Sequence, residues 1–289
     1  MSNSLNIFIL ENIKDFDADH TFDCGQCFRW DREPDGSYTG VVGDKVANIR
    51  VDGSRLIIEN CTEEEFQTFW HEYLDLGRDY GEIKGILCDG DQVMAEAADY
   101  GHGIRLLQQD PWETVVSFII SQNSNIPRIK KCINALCENF GESLGEYRGV
   151  ERFAFPSAEK LASLTKEDLA VCRLGYRDDY ILKTAQAVAS DGGKTLALTR
   201  EMDFADAEAY IRSLHGVGPK VANCILLFGI LRYESFPLDV WMKRIMSQLY
   251  GFDENDMKGM AAYAAEHFGQ HSGFAQQYLF YFARENLQK

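Results

Sequence analysis

The run Leu214-His215-Gly216-Val217-Gly218-Pro219-Lys220-Val221-Ala222-Asn223-Cys224 constrains this chain more than any other segment. Two glycines two apart allow a tight turn, and Pro219 suits the first position of a helix that continues through apolar Val221 to Leu231. Such a turn delivers a helix N-terminus, whose unpaired N–H groups and positive dipole end suit a phosphate. Lys220 falls in that first turn, and a lysine amine can also act as a covalent nucleophile. Nineteen residues after the lysine, Asp239 follows Phe236-Pro237-Leu238 and precedes Val240 to Met246, where a helix cap belongs. The residues leave two readings open. Lys220 is a solvated cation and Asp239 an ordinary cap, or the two form a lysine–carboxylate pair acting on nucleic acid.

The bulk properties narrow the setting. A chain of 289 residues holds one large domain or two smaller ones, and a hydrophobic fraction of 45% allows a sizeable core. No stretch of eighteen uncharged apolar residues occurs, and the start Met1-Ser2-Asn3-Ser4-Leu5-Asn6 lacks a basic-then-apolar signal. The expectation is a soluble cytoplasmic monomer with no membrane partner, nucleoid-associated if the source is bacterial. The eight cysteines are scattered, several in apolar helical contexts, which points to free thiols. Cys24 and Cys27 make one C-x-x-C with no second pair and no nearby histidine, so no metal site and no cofactor are expected.

Charge runs against nucleic-acid binding. Lys plus Arg is 29 against 45 for Asp plus Glu, a net charge of −16, whereas phosphate neutralisation drives DNA affinity. A local basic face can still serve, and Arg128-Ile129-Lys130-Lys131 and Lys243-Arg244 are the candidates for it.

Short β-prone runs cover Phe22 to Trp30, Ser37 to Val42, Ala47 to Val51 and Arg55 to Glu59, divided by turn signals such as Glu33-Pro34-Asp35-Gly36. From Thr62 the pattern turns helical. Helices are predicted from Asp110-Pro111-Trp112-Glu113 and over 127–140, 157–164, 166–173, 178–190, 204–214, 220–231, 239–250, 255–268 and 272–286. The fold class is α+β: an antiparallel β-rich part over residues 1–105 and a mostly helical part over 106–289 that holds the hairpin at about 207–245.

The glycine-rich turn, Lys220 and Asp239 together resemble the signature of the helix-hairpin-helix DNA glycosylase superfamily. In that superfamily the hairpin grips the DNA backbone, the lysine marks bifunctional glycosylase/lyase members, and the aspartate is essential. The resemblance implies backbone contacts from Gly216, Gly218 and Val221. Trp241 occupies the place of a phosphate-binding histidine in animal relatives, a departure that puts its contact in doubt. No cysteine follows Cys224, so the iron–sulfur cluster of endonuclease III-like relatives is excluded.

Four further segments are similar to the 8-oxoguanine glycosylase branch. Cys24-Gly25-Gln26-Cys27-Phe28-Arg29-Trp30 resembles a strand whose glycine carbonyl, here that of Gly25, accepts from N7–H of the oxidised base. A bulge glycine beside a core tryptophan is the plainer alternative. Ser121 to Ile129 resembles the segment in which an asparagine fills the vacated duplex and an arginine reads the opposite cytosine, here Asn123 and Arg128. A polar interhelical loop is the other reading. Arg173-Leu174-Gly175-Tyr176-Arg177 resembles a turn whose tyrosine wedges into the stack while its arginine contacts the estranged base. Tyrosine in such a turn also serves packing alone. Gln276 and Phe280, four apart on one helix face, would read and stack on the base, with Cys224 as the opposite wall. Phe280 is otherwise a core residue.

The resemblance implies excision of 8-oxoguanine opposite cytosine from double-stranded DNA, with Lys220 as the Schiff-base nucleophile and Asp239 stabilising charge on the sugar. A helix N-terminus, burial and neighbouring cations would each favour the neutral amine. Action on another lesion, or a catalytically silent hairpin that binds DNA or protein, are the alternatives.

Overall fold

The computed structural model describes residues 6–286. The polar start Met1 to Leu5 and residues 287–289 lie outside the described residues. Five antiparallel strands form one sheet in the order β1-β5-β4-β3-β2: β1 Ile7–Leu10, β2 Trp30–Arg32, β3 Tyr38–Val42, β4 Lys45–Asp52 and β5 Arg55–Glu59. Alternating apolar residues explain the three central strands, which bury Tyr38, Ile49, Leu56 and Ile58 against Phe22, Trp30 and Trp70. Thr62 then opens the helical region through a capping box with Glu65.

Three differences from the sequence reading have physical causes. Phe22 to Trp30 is no continuous strand. A short helix, Ala18–Phe22, capped by Asp17, precedes an irregular turn, and only Trp30–Arg32 joins the sheet. Strand β1, absent from the sequence reading, gains its hydrogen bonds from β5, about fifty residues away, in the register Ile7↔Glu59. A second hairpin, β6 Ser143–Tyr147 with β7 Val150–Phe153, turns through Arg148 and Gly149, both at positive φ (52° and 76°). Asn-Gly is the usual signal for such a two-residue turn, and Arg-Gly hides it.

The helices start at caps legible in the chain: Asp110 before Pro111–Ser121, Asn125 before Ile126–Phe140 and Asp239 before Val240–Tyr250. They build one large apolar core with Ser272–Asn286. Tyr80, Ile83, Leu87, Met94 and Ala97 belong to that helical core rather than to the sheet's own cluster. Buried Arg105 ties the segments together, donating to the carbonyls of Lys14, Asp15, Asp75 and Arg78.

Candidate active site

The hairpin joins helices Phe204–Ser213 and Pro219–Phe228. Its two glycines are there for different reasons. Gly216 adopts φ +80°, and a Cβ on it would stand 2.4 Å from the Tyr180 ring. Gly218 has an ordinary φ of −86° and caps the helix, with nothing within 4 Å of an added Cβ. Its lack of a side chain leaves open space where a backbone phosphate can approach. Val221 is buried, so only its backbone belongs to the turn's outer surface.

Lys220 sits at the second position of that helix and lines an open cleft of ≈ 580 Å³ together with Asn123, Gly218, Asp239 and Lys243. Asp239 caps its own helix, Oδ1 accepting from the Met242 N–H at 2.9 Å. The lysine ammonium lies near the Cys224 thiol one turn on and 5.8 Å from the centre of the Phe118 ring. The cleft therefore presents an amine and a carboxylate together.

The charge state differs from the sequence expectation. Lys220 is held above the ordinary lysine value, first by the negative charge Cys224 carries when ionised; burial opposes this, and Asp239 adds to it. Burial pushes the Cys224 thiol itself upward, so at neutral pH Cys224 is uncharged and Asp239 is the counter-charge that acts. The free protein thus holds Lys220 as an ammonium.

Asn123 and Tyr176 meet. Asn123, at φ +46°, donates from Nδ2 to the Tyr176 hydroxyl at 3.3 Å, and the Tyr176 side chain is half exposed. Arg177 does not project with them. It is buried, donating from Nε to the Gln122 carbonyl at 3.0 Å, from a terminal nitrogen to that of Asn123 at 3.2 Å, and to Leu174 at 3.1 Å. Its guanidinium also lies 4.6 Å from the centre of the Tyr176 ring. Arg177 thereby braces both projecting side chains instead of offering its donors to a base. Arg128 is exposed in a neighbouring groove with Lys131 and Arg173. Lys130 leaves that basic face altogether, binding the Trp30 carbonyl and the Asp31 carboxylate. Trp241 is half-buried, with Arg244 stacked 5.4 Å from its ring centre.

Gly25 faces Phe280 of the last helix, which also carries Gln276, while Cys224 is buried on the hairpin helix. Gly25 is at φ +87°, and a Cβ there would reach to 3.4 Å from the Phe280 ring. Gln277, which the sequence reading passed over, donates to the Cys24 carbonyl at 2.8 Å and pins this turn to the helix. Gln26, equally unassigned, is fully buried; it accepts from the Leu107 N–H and donates to the Arg105 carbonyl. A buried amide inside a motif was the available signal for both. Gln276 is 5% exposed, and its Oε1 is buried without a hydrogen-bond partner among the described residues. All eight cysteines are free thiols, and burial pushes Cys24 up to about 11. No group of three metal-ligating side chains gathers among the described residues.

Residues 116–270 match the family model described as HhH-GPD superfamily base excision DNA repair protein, so the class is that of hairpin-bearing base-excision repair proteins. Residues 8–115 match the one described as 8-oxoguanine DNA glycosylase, N-terminal domain, and the chain belongs to the 8-oxoguanine DNA glycosylase family. The N-glycosylase/DNA lyase of Saccharomyces cerevisiae is 31% identical over 255 residues, covering 80% of this chain and 67% of that protein. The Arabidopsis thaliana N-glycosylase/DNA lyase OGG1 is 30% identical, with 90% and 75% covered. The crystal structure of the Clostridium acetobutylicum 8-oxoguanine glycosylase/lyase, in complex with double-stranded DNA containing cytosine opposite to 8-oxoG, superposes with a TM-score of 0.92. It is 42% identical, and 98% of each chain is covered.

Proposed function

We propose that this protein is a bifunctional base-excision repair enzyme that removes 8-oxoguanine opposite cytosine and then nicks the strand, with Lys220 and Asp239 as its catalytic pair. The observation that carries the residue assignment is that these two side chains line one cleft at the hairpin, on separate helices, with Asn123 beside them. The target nucleotide leaves the stack, because its glycosidic carbon is inaccessible within it. Asn123 and the exposed ring of Tyr176 fill and wedge the vacated space, held by the buried Arg177. The base enters between Cys224 and Phe280, where the unpartnered Gln276 amide oxygen accepts from its Watson–Crick edge and the Gly25 carbonyl accepts from N7–H. Undamaged guanine has a lone pair at N7, which that carbonyl repels.

The neutral Lys220 amine attacks C1′. The C1′–N9 bond breaks, its electron pair leaves with the base, and Asp239 stabilises positive charge on the sugar. Ring opening, with a proton passing from the lysine nitrogen to O4′, yields the protonated Schiff base. The released base anion then takes the C2′ proton, and the 3′ phosphate leaves by β-elimination. Double-stranded DNA carrying the lesion is the partner. Backbone contacts fall to Gly216, Gly218 and Val221 of the hairpin and to Trp241 through its indole N–H, and Arg128 reads the cytosine. We place the protein in the cytoplasm as a monomer, and divide it into a β-rich part over 1–105 and a helical part over 106–289.

Borohydride trapping on a duplex with one 8-oxoguanine opposite cytosine tests this. A lesion-dependent covalent band that disappears in Lys220→Gln is expected, with lesion binding retained by the variant. Full excision by Lys220→Gln would refute the covalent assignment.

A further inference from the structure

The acidity of the chain makes the position of its unpaired cations informative. Several Lys and Arg side chains of the helical part are consumed internally: Lys130 by Asp31, Lys166 and Lys183 by Asp179, Arg177 by carbonyls. Arg128, Lys131 and Arg173 are different. All three are exposed, none has an ion pair among the described residues, and all three line a single groove of ≈ 740 Å³.

The walls of that groove identify what it faces. Arg128 and Lys131 are three apart on the first turns of Ile126–Phe140, one above the other on the same face. Arg173 comes from the turn three residues before Tyr176, at φ +54°. The groove is thus walled by the helix that follows Asn123 and the turn that precedes Tyr176, the pair that fills the duplex. It adjoins the catalytic cleft through the 121–128 segment, which contributes Ser121 to Ser124 to the cleft and Arg128 to the groove. Val171, one of the few large apolar side chains left exposed, also lies in it. The acid there is Glu138, about 15 Å along the helix from Arg128 at 1.5 Å per residue.

We infer that this groove seats the backbone of the undamaged strand, with Lys131 and Arg173 neutralising its phosphates on either side of the cytosine that Arg128 approaches. The inference rests on the enzyme reading above, since the lesion strand must occupy the Lys220 cleft for the other strand to meet this face. Lys131 and Arg173 then act through charge, independent of base identity, and supply affinity on a protein whose overall charge opposes it.

The test measures binding of the Lys220→Gln protein to a lesion duplex across a salt series, with Lys131→Gln and Arg173→Asn added singly and together. Asparagine tolerates the left-handed backbone of position 173 while removing the charge. Each change is expected to flatten the slope of log K against log salt by roughly 0.9, and to weaken binding by roughly tenfold in low salt with the gap closing towards high salt. Lys131→Arg is expected to keep the parent slope. Neutral methylphosphonate linkages flanking the cytosine should weaken the parent and add nothing to the double variant, whereas the same linkages on the lesion strand should weaken both alike. An unchanged slope in the two single variants would overturn the inference, as would equal sensitivity of parent and double variant to neutral linkages in the undamaged strand. A parent that fails to prefer the lesion duplex, with no base release by the wild type, would instead overturn the enzyme reading and the inference with it.

Discussion

Gln122 reaches from the loop before Ile126–Phe140 to the hairpin, its Nε2 donating to the Gly216 carbonyl at 3.1 Å. One bond therefore couples the loop that carries Asn123 to the turn that presents Lys220. Gly216→Ala is expected to break this junction, because the new Cβ meets the Tyr180 ring and the residue must hold φ +80°. A loss of about 1–3 kcal/mol in denaturant unfolding is expected, together with weaker lesion binding. Gln122→Ala should cost about 1 kcal/mol and leave the turn intact. Equal stability of Gly216→Ala and wild type would contradict the role given to this glycine.

The stored ammonium of Lys220 sets a pH dependence. Its value lies above that of an ordinary lysine, so the neutral amine is the minority form and grows with pH. The profile of kcat/KM, which reports the free enzyme, is expected to rise without a plateau between about pH 6 and 9. Asp239 is the counter-charge present across this range, and in Asp239→Asn the rising limb of the residual activity should move to lower pH. A limb that stays in place in Asp239→Asn would show that the carboxylate does not hold the lysine's proton.

Gln276 separates stability from activity. A buried acceptor without a partner costs about 1–3 kcal/mol, and its Oε1 is one. Gln276→Met keeps the volume and removes that group. Thermal unfolding is expected to move upward by the equivalent of about 1 kcal/mol while excision of 8-oxoguanine collapses. Retained excision with raised stability would remove Gln276 from base recognition.

Arg105 is expensive to lose although it lies away from the cleft. It is 4% exposed, donates to four carbonyls and stacks 4.5 Å from the Tyr80 ring centre. Arg105→Met leaves those carbonyls buried and is expected to cost about 3–5 kcal/mol in chemical denaturation. A loss below about 1 kcal/mol would mean that water replaces the guanidinium readily.

What the chain determined by itself is local. Pro219 after Gly218, Asp239 ahead of an apolar helix, and Asp110 and Asn125 at their caps set helix starts within a turn of sequence, so the hairpin and the lysine were legible without any partner. The tertiary structure decided whatever depends on distant groups. Arg177 turned inward because the Gln122 and Asn123 carbonyls, more than fifty residues away, needed donors. Lys130 left the basic face for Asp31, about a hundred residues earlier. Strand β1 formed only because β5 offered an edge. Lys220 kept its proton because Asp239, at the cap of a second helix, was brought beside it. Capping and turn chemistry act over a few residues, whereas charge pairing, strand pairing and burial are set by which segments meet.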